Sequence, residues 1–269
     1  MELLAESPPP SAQIGALWIG LGVAFFYGLH VKFTVAAPRF VAKSSASARA
    51  RWRWANIATS CTHAAITGAG ALLSFCWYPE SAKNIVFGFT KFGHGLAAFS
   101  LGYFLVDSVD LFLNDDKKAT RNELFIHHGF ILACFGLAVF TGRYVPYAQL
   151  ALLSEVNSVF LHARQLMLLQ GVSKHNLVYR LNSLVNLGTF LTFRLSVLVW
   201  MAQWLFRNRD VIPATAFSLG SIALPVIIVM NVILLVRLVN SDYRSQGRTV
   251  SKSILQAPVE MDLPAQKWT

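Results

Sequence analysis

The stretch from residue 212 to residue 238 reads IPATAFSLGSIALPVIIVMNVILLVRL, and its single charged residue is Arg237, near the end. About 20 apolar residues in a helix cross the hydrocarbon core of a bilayer, which is about 30 Å thick. The stretch therefore predicts a transmembrane helix. Pro225 in its middle predicts a kink. Such a kink is tolerated where neighbouring helices provide a hydrogen-bond partner for the freed carbonyl group.

Six further apolar stretches of similar length precede this one. Together they predict seven transmembrane helices at approximately 14–36, 55–77, 85–113, 124–141, 146–169, 178–206 and 212–238. The composition agrees, because 55% of the 269 residues are hydrophobic and only 13% are charged, whereas soluble domains have about 25% charged residues. We expect an all-α polytopic membrane protein.

Lys and Arg residues are concentrated in alternate loops, as the positive-inside rule requires. With the N-terminus outside the cytosol and the C-terminus inside it, fifteen basic residues are cytosolic and four are not. The cytosolic set is Arg39, Lys43, Arg49, Arg51, Arg53, Lys117, Lys118, Arg121, Lys174, Arg180, Arg237, Arg244, Arg248, Lys252 and Lys267, and the outer set is Lys83, Arg143, Arg207 and Arg209. The net charge of +10 therefore indicates topology, and no nucleic-acid partner is expected.

The predicted helices divide the chain into four parts. These are a short extracytosolic N-terminus (1–13), a first transmembrane helix (14–36), a six-helix region (51–240) and a polar tail (241–269) that we expect to be disordered and cytosolic. The three cysteines, Cys61, Cys76 and Cys134, have neither paired nor metal-ligand spacing. No metal site is predicted.

Polar side chains inside the predicted spans are the candidates for function, because such groups are costly in lipid and usually face a bundle interior or a cavity. They are Asp107, Asp110, His127, His128, Glu155, Asn157, His162, Arg164, Asn182 and Asn186. His127 and His128 open the predicted fourth helix. Glu155 lies about nine residues into the fifth, where a carboxylate needs a partner or a proton.

Each candidate also has a purely structural explanation. The two histidines could be interfacial residues at a helix start, and Asp107 and Asp110 could form an ion pair with Lys117, Lys118 or Arg164. Asn182 and Asn186, spaced i and i+4, are typical of hydrogen bonds between membrane helices.

Helical geometry divides the candidates of the predicted fifth helix between two faces. Glu155 and His162 are seven residues apart and share one face, whereas Asn157 and Arg164 share the opposite one. The sequence leaves open which face lines a cavity. Successive residues diverge by about 100° around a helix, so at most one of His127 and His128 points at the bundle axis.

Several short motifs occur in a fixed order. They are Trp52-Arg53-Trp54-Ala55-Asn56 with His63, Gly102-Tyr103-Phe104 before Asp107-Ser108-Val109-Asp110, His127-His128, residues 153–161, Tyr179-Arg180-Leu181-Asn182, Val185-Asn186, Phe193-Arg194-Leu195 and Ser241-Asp242-Tyr243. With this set, the chain resembles the TLC-domain family, which includes ceramide synthases. It is most similar to the branch implicated in membrane fluidity and phospholipid acyl composition.

The resemblance implies a six-helix TLC barrel with a central cavity, plus one extra N-terminal transmembrane helix. In ceramide synthases the paired histidines belong to the acyl-transfer centre, and His127 and His128 match them. Ceramide synthases carry a further His-Asp and Asp motif after the pair, whereas here the Asp-x-x-Asp motif of Asp107 and Asp110 precedes it. Acylation of a sphingoid base is therefore not the expected reaction.

Three functions follow as alternatives. The first is regulation of phosphatidylethanolamine acyl-chain composition and membrane fluidity, with highly unsaturated species kept low. The second is a cytosolic-side lipid acyltransferase that uses the histidine pair, with acyl-CoA as co-substrate and no cofactor. The third is a seven-helix receptor. Membrane lipids and lipid-synthesis enzymes are the expected partners, and the plasma membrane is favoured over the endoplasmic reticulum.

The basic-residue asymmetry predicts the sides of the two termini. A tag after Thr269 is expected to bind antibody only in permeabilised cells, and a tag before Met1 is expected to bind it in intact cells, because an odd number of crossings separates them. Immunofluorescence with and without permeabilisation measures this. Both tags on one side would contradict seven crossings.

Overall fold

The computed structural model describes residues 12–37, 47–114 and 118–244, and within these ranges the only regular structure is helical. The predicted N-terminal segment 1–13 and tail 241–269 lie mostly outside the described residues. Lys117 and the side chain of Lys118, both named above as partners for a carboxylate, lie outside them as well.

Nine α-helices occur in the described ranges. They are α1 (Ala12–Ala36), α2 (Ser47–Trp77), α3 (Lys91–Asn114), α4 (Lys118–Thr141), α5 (Val145–Leu152), α6 (Ser154–Leu169), α7 (Leu177–Thr189), α8 (Ser196–Arg207) and α9 (Ala214–Val239). Short 3-10 helices lie at Pro79–Lys83 and Arg209–Val211, and π-helical segments lie at Phe190–Leu195 and Asn240–Arg244.

The predicted helix positions are confirmed, but several ends and breaks differ. The third helix begins at Lys91, because Thr90 caps it by accepting the Gly93 N–H on its side chain at 3.0 Å. The fourth begins at Lys118, so the view that His127 and His128 open it is wrong. Apolarity marks the membrane-embedded part of a helix, and the polar turn before Leu124 is helical too.

Two predicted helices are composite. Leu153 separates α5 from α6, so the predicted fifth helix is two segments, and the Phe190–Leu195 π-helix joins α7 to α8 within the sixth. Glu155 therefore lies in the first turn of α6. The expectation that it lies deep within one continuous helix is wrong.

Five helical segments in the described ranges are long and apolar enough to cross a membrane. These are Ala12–Ala36, Lys91–Asn114, Arg121–Thr141, Leu177–Arg207 and Ala214–Asp242. α2 falls outside this set because it carries many polar side chains, and α5 and α6 are each too short. The chain is thus a multi-pass, all-α membrane protein.

By their contacts, the described residues divide into two units, with the boundary between Asn231 and Val232. The described part of the first contains α1 to α8 and the beginning of α9. The described part of the second, residues 232–244, contains the end of α9 and the Asn240–Arg244 π-helix. All sites discussed below lie in the first unit.

The core of the first unit lies where α1 packs against α3. Phe26 of α1 is fully buried and meets the ring of Tyr103 edge-on, with 5.2 Å between the centroids. The backbones touch at Gly22 and Gly102. A Cβ atom on Gly102 would lie 2.5 Å from the Ile19 carbonyl oxygen and 2.7 Å from the Val23 nitrogen. This close approach requires small residues, as is common between membrane helices.

Substitution of these glycines tests the contact. We expect Gly22→Val and Gly102→Val each to destabilise the protein by about 1–3 kcal/mol, because the added atoms overpack the joint between α1 and α3. The controls are Gly20→Val and Gly28→Val in α1, where an added Cβ meets nothing within 4 Å. Thermal unfolding of the detergent-purified variants measures the difference. Equal losses in both pairs would contradict the packing.

Candidate functional site

Two predicted carboxylates, Asp107 and Asp110 of α3, form the first polar cluster. Asn56 of α2 donates to Asp107 at 2.7 Å and to Asp110 at 2.9 Å, and the Trp52 indole donates to both oxygens of Asp110 at 2.9 and 3.0 Å. The His30 Nε2 atom of α1 lies 3.6 Å from Asp110 Oδ1. The carboxylates thus bind α1, α2 and α3 together.

His128 of α4 joins this cluster. Its Nε2 atom lies 3.6 Å from Asp107 Oδ2 and its Nδ1 atom lies 3.2 Å from Ser108 Oγ. Because Ser108 donates its only hydroxyl proton to the Phe104 carbonyl oxygen at 2.6 Å, its oxygen accepts from Nδ1. Nε2 then faces the Asp107 carboxylate. A proton on either Nε2 or the carboxylate avoids repulsion between the lone pairs of these two groups.

The proposed ion-pair partner Arg164 is found elsewhere. Its guanidinium carbon lies 5.9 Å from the centre of the Tyr179 ring of α7. The polar contacts of Asp107 and Asp110 given above come instead from amide, indole and imidazole groups. None of these contacts could be deduced from the sequence order.

A histidine outside the predicted site fills the space between α2 and α3. The His63 ring stacks on Tyr103 with 3.8 Å between centroids, and its Nε2 atom lies 2.8 Å from Ser100 Oγ. Tyr103 donates its hydroxyl proton to Ser60 at 2.8 Å. All four side chains are buried, which makes this a closed, structural contact.

The predicted asparagines join α6 to α7. Asn157 is fully buried, and its amide nitrogen donates to the Asn186 backbone and side-chain oxygens at 2.9 and 2.8 Å and to Thr189 at 3.1 Å. Asn182 donates to the Phe160 carbonyl oxygen at 3.0 Å. These contacts match the structural explanation, hydrogen bonding between helices.

Arg194 is the centre of a second polar cluster and is absent from the predicted site. Its Nε donates to Asn157 Oδ1 at 3.0 Å and its Nη1 to Asn231 Oδ1 of α9 at 3.0 Å. Nη2 donates to Ser158 Oγ at 2.5 Å and lies 3.5 Å from the Ser154 carbonyl oxygen. The sequence could have indicated Arg194, since a charged residue inside the apolar stretch 178–206 is as costly as the charged residues among the predicted candidates.

The π-helical segment explains how Arg194 reaches this position. Buried side chains at Phe190, Arg194 and Leu198 follow one another at intervals of four residues. An α-helix has 3.6 residues per turn, so repeated steps of four drift around its axis. The wider turns of a π-helix keep them on one face, and such bulges are frequent at functional sites.

Glu155 and His162 extend the second cluster along α6. Glu155 interacts electrostatically with Arg194. The Nδ1 atom of His162 is buried without a hydrogen-bond partner among the described residues. Neither residue is among the side chains that line the large cavity described next; α6 contributes Ser154 instead.

A partly open cavity lies between α4, α5, α6, α8 and α9, and its volume is about 750 Å³ when the space open to the outside is included. Most of its wall is apolar, and the bulkiest side chains there are Phe130, Phe135, Leu198, Met201 and Leu224. Its polar wall consists of His127, Ser154, Arg194 and Asn231, and the tyrosines Tyr144 and Tyr147 lie near the α5 start. The cavity is thus amphiphilic.

The two adjacent histidines face different surroundings, as their helical spacing predicts. His127 lines the large cavity, whereas His128 is buried against Asp107. Their ring centroids are 5.8 Å apart. Only His127 can therefore meet a molecule bound in this cavity.

Comparison with known proteins identifies the family. The model of the TLC domain matches residues 53–240, well over half of the chain. TLC domain-containing protein 2 of Danio rerio is 42% identical over 200 residues, which cover 74% of this chain and 80% of that protein. The Homo sapiens protein of the same name is 36% identical over 231 residues, covering 86% and 85%.

TLC domain-containing protein 1 of Gallus gallus is 34% identical over 215 residues, covering 80% of this chain and 82% of that protein. No solved structure matches. The matched region begins within α2, so α1 precedes it. The resemblance inferred from the motifs is confirmed, and the chain belongs to the TLC-domain family.

Proposed function

We propose that the protein regulates the acyl-chain composition of membrane phospholipids, phosphatidylethanolamine among them, and limits highly unsaturated species so that fluidity stays low. The cavity is the observation that carries the proposal. Its apolar wall and its few polar groups match one acyl chain with a polar head, and ligand sites commonly combine these two kinds of lining. Family membership is compatible with a lipid-related function.

The cavity wall also supports selection among chains. Phe130, Phe135 and Met201 are large side chains held on two helices, α4 and α8. Packed interiors resist changes of shape, so a straight chain and a chain bent by several cis double bonds fit such a wall unequally. Binding energy that differs between chains is what a regulator of composition needs.

A lipid acyltransferase is the second candidate, and the position of His127 in the cavity favours it. In that reaction His127 takes the proton of an acceptor hydroxyl, and the hydroxyl oxygen attacks the thioester carbonyl carbon of acyl-CoA. The carbon–sulfur bond breaks, and the CoA thiolate receives the proton. A neutral imidazole suits this transfer at about neutral pH.

Topology and location belong to the same proposal. The basic residues favour an N-terminus outside the cytosol and a cytosolic C-terminus. The proposal places the protein in the plasma membrane, with membrane lipids and lipid-synthesis enzymes as partners. α4 runs from Lys118 towards Thr141, so its apolar cavity residues lie on the outer side of His127. A polar head at His127 would then face the cytosolic half of the membrane, where acyl-CoA is available.

Lipid analysis of cells tests the regulatory role. Cells without the protein are expected to accumulate highly unsaturated phosphatidylethanolamine, and the wild type to reverse this. Ala223→Phe, which fills the cavity from α9, is expected to lose most of the rescue at equal protein abundance. The control is Ala216→Phe in α9, which is outside the cavity lining. Unchanged lipids after removal of the protein would contradict the regulatory proposal.

Purified protein distinguishes the enzyme from the regulator. Given acyl-CoA and a lysophospholipid, an enzyme makes diacyl product, and His127→Ala is expected to lower the rate by about 10²–10⁴-fold, as for loss of a general acid–base group. His175→Ala, at an exposed loop position, is the matched control. A regulator makes no product in either form. Equal turnover by His127→Ala and the control would exclude His127 as the base.

A further inference from the structure

We propose that Arg194 anchors the oxyanion of a single-chain lipid, a carboxylate or a phosphate monoester, whose acyl chain occupies the large cavity. This inference rests on the proposed lipid-binding function of that cavity and names its ligand class. It assigns head-group recognition to a residue outside the histidine pair.

The depth of Arg194 makes a purely structural role costly. It lies about 25 Å from the Leu177 end and about 20 Å from the Arg207 end of its membrane segment, at 1.5 Å per residue. The position is therefore near the middle of the hydrocarbon, where a cation is rare and usually faces a cavity or a partner. Arg194 is 9% exposed, and it lines the cavity.

The direct partners of the Arg194 guanidinium are all neutral. They are the amide oxygens of Asn157 and Asn231, the Ser158 hydroxyl and the Ser154 carbonyl oxygen. Glu155 interacts with Arg194 electrostatically, but no carboxylate of the described residues lies within 4 Å of it. The four oxygens orient the guanidinium, but none of them carries a negative charge.

One N–H group of Arg194 also has no acceptor in the described part of the chain. A guanidinium carries five N–H donors. Nε uses one, Nη2 uses two and Nη1 uses one of its two, towards Asn231. Because Arg194 and Asn231, the acceptor of Nη1, both line the cavity, an oxyanion bound beside them would receive a charge-assisted hydrogen bond and would neutralise the buried cation.

The rest of the cavity limits the ligand to one chain. The wall beyond Arg194 is apolar, and along α9 it extends from Asn231 to Gly220, which is about 16 Å of helix. That length of apolar wall, with one polar end at Arg194 and Asn231, matches one acyl chain, whereas a diacyl phospholipid has two chains and a larger head. Fatty acids and lysophosphatidates have one chain and an oxyanion.

Binding to the full-length protein in nanodiscs of neutral lipid tests the assignment. Displacement of radiolabelled palmitate is measured with palmitate, palmityl alcohol, palmitoyl lysophosphatidate and inorganic phosphate. We expect the better of the two anionic lipids to bind about tenfold to a hundredfold more tightly than the alcohol. Whichever of palmitate and lysophosphatidate competes more strongly shows whether the preferred head group is a carboxylate or a phosphate. Equal binding of alcohol and acids, or competition by phosphate alone, overturns the proposal.

Three variants locate the effect. Arg194→Gln is expected to remove the preference for the anionic lipids, and Arg194→Lys to keep part of it. Arg143→Gln, an arginine placed 5.3 Å over the Phe87 ring outside the cavity, is expected to keep all of it. A folded Arg194→Gln protein with the wild-type preference overturns the inference.

Ala223→Phe keeps the test decisive if Arg194→Gln does not fold, since it fills the cavity and leaves Arg194 in place. It is expected to weaken the alcohol and the acids together, and unchanged binding would refute the site. The readout is independent of cellular lipids. If the protein binds anionic lipids selectively but cellular lipids do not change, only the proposed regulation is rejected. If cellular lipids change but the protein binds alcohol and acids equally, only the role of Arg194 is rejected.

Discussion

Hydrocarbon offers no hydrogen-bond partner, so polar side chains between the helices must satisfy one another. Two clusters do this in the described part of the chain. One surrounds Asp107 and Asp110 and joins α1, α2, α3 and α4, and the other surrounds Arg194 and joins α6, α9 and the Phe190–Leu195 segment. The apolar contacts alone would not fix how these helices are rotated, because lipid and side chains are equally apolar.

The adjacent histidines lie in different surroundings. His128 belongs to the carboxylates, where Asp107 and Ser108 hold its ring. His127, one residue earlier, lines the cavity that Arg194 also lines. A helix turns by about 100° per residue, so neighbouring residues of α4 face the carboxylate cluster and the cavity. His128 is therefore a structural residue, whereas His127 can contact a ligand in the cavity. Substitutions of the two histidines should affect function differently.

Helix positions were predictable because a membrane span demands a long apolar run, which the sequence displays directly. The break at Leu153 was not, because no Pro or Gly marks it, and neither was the π-helix at Phe190–Leu195. Both depend on packing between distant segments. The ten candidate residues included real cluster members such as Asp110 and Asn157. Trp52, which donates to Asp110, and Asn231, which accepts from Arg194, could not be inferred, because they too are brought in by distant packing.

Arg194 shows why selecting polar residues one by one is insufficient. Asn157 is an amide that uses its nitrogen on Asn186 and its oxygen on Arg194, so each group orients the next. Loss of one member leaves buried partners unsatisfied, which costs more than the bond itself. The cluster therefore holds the guanidinium at the cavity wall whether or not a ligand is bound. That preorganisation lowers the cost of ordering a side chain on binding, and it makes the π-helix a means of placing a charge at the wall of a largely apolar cavity.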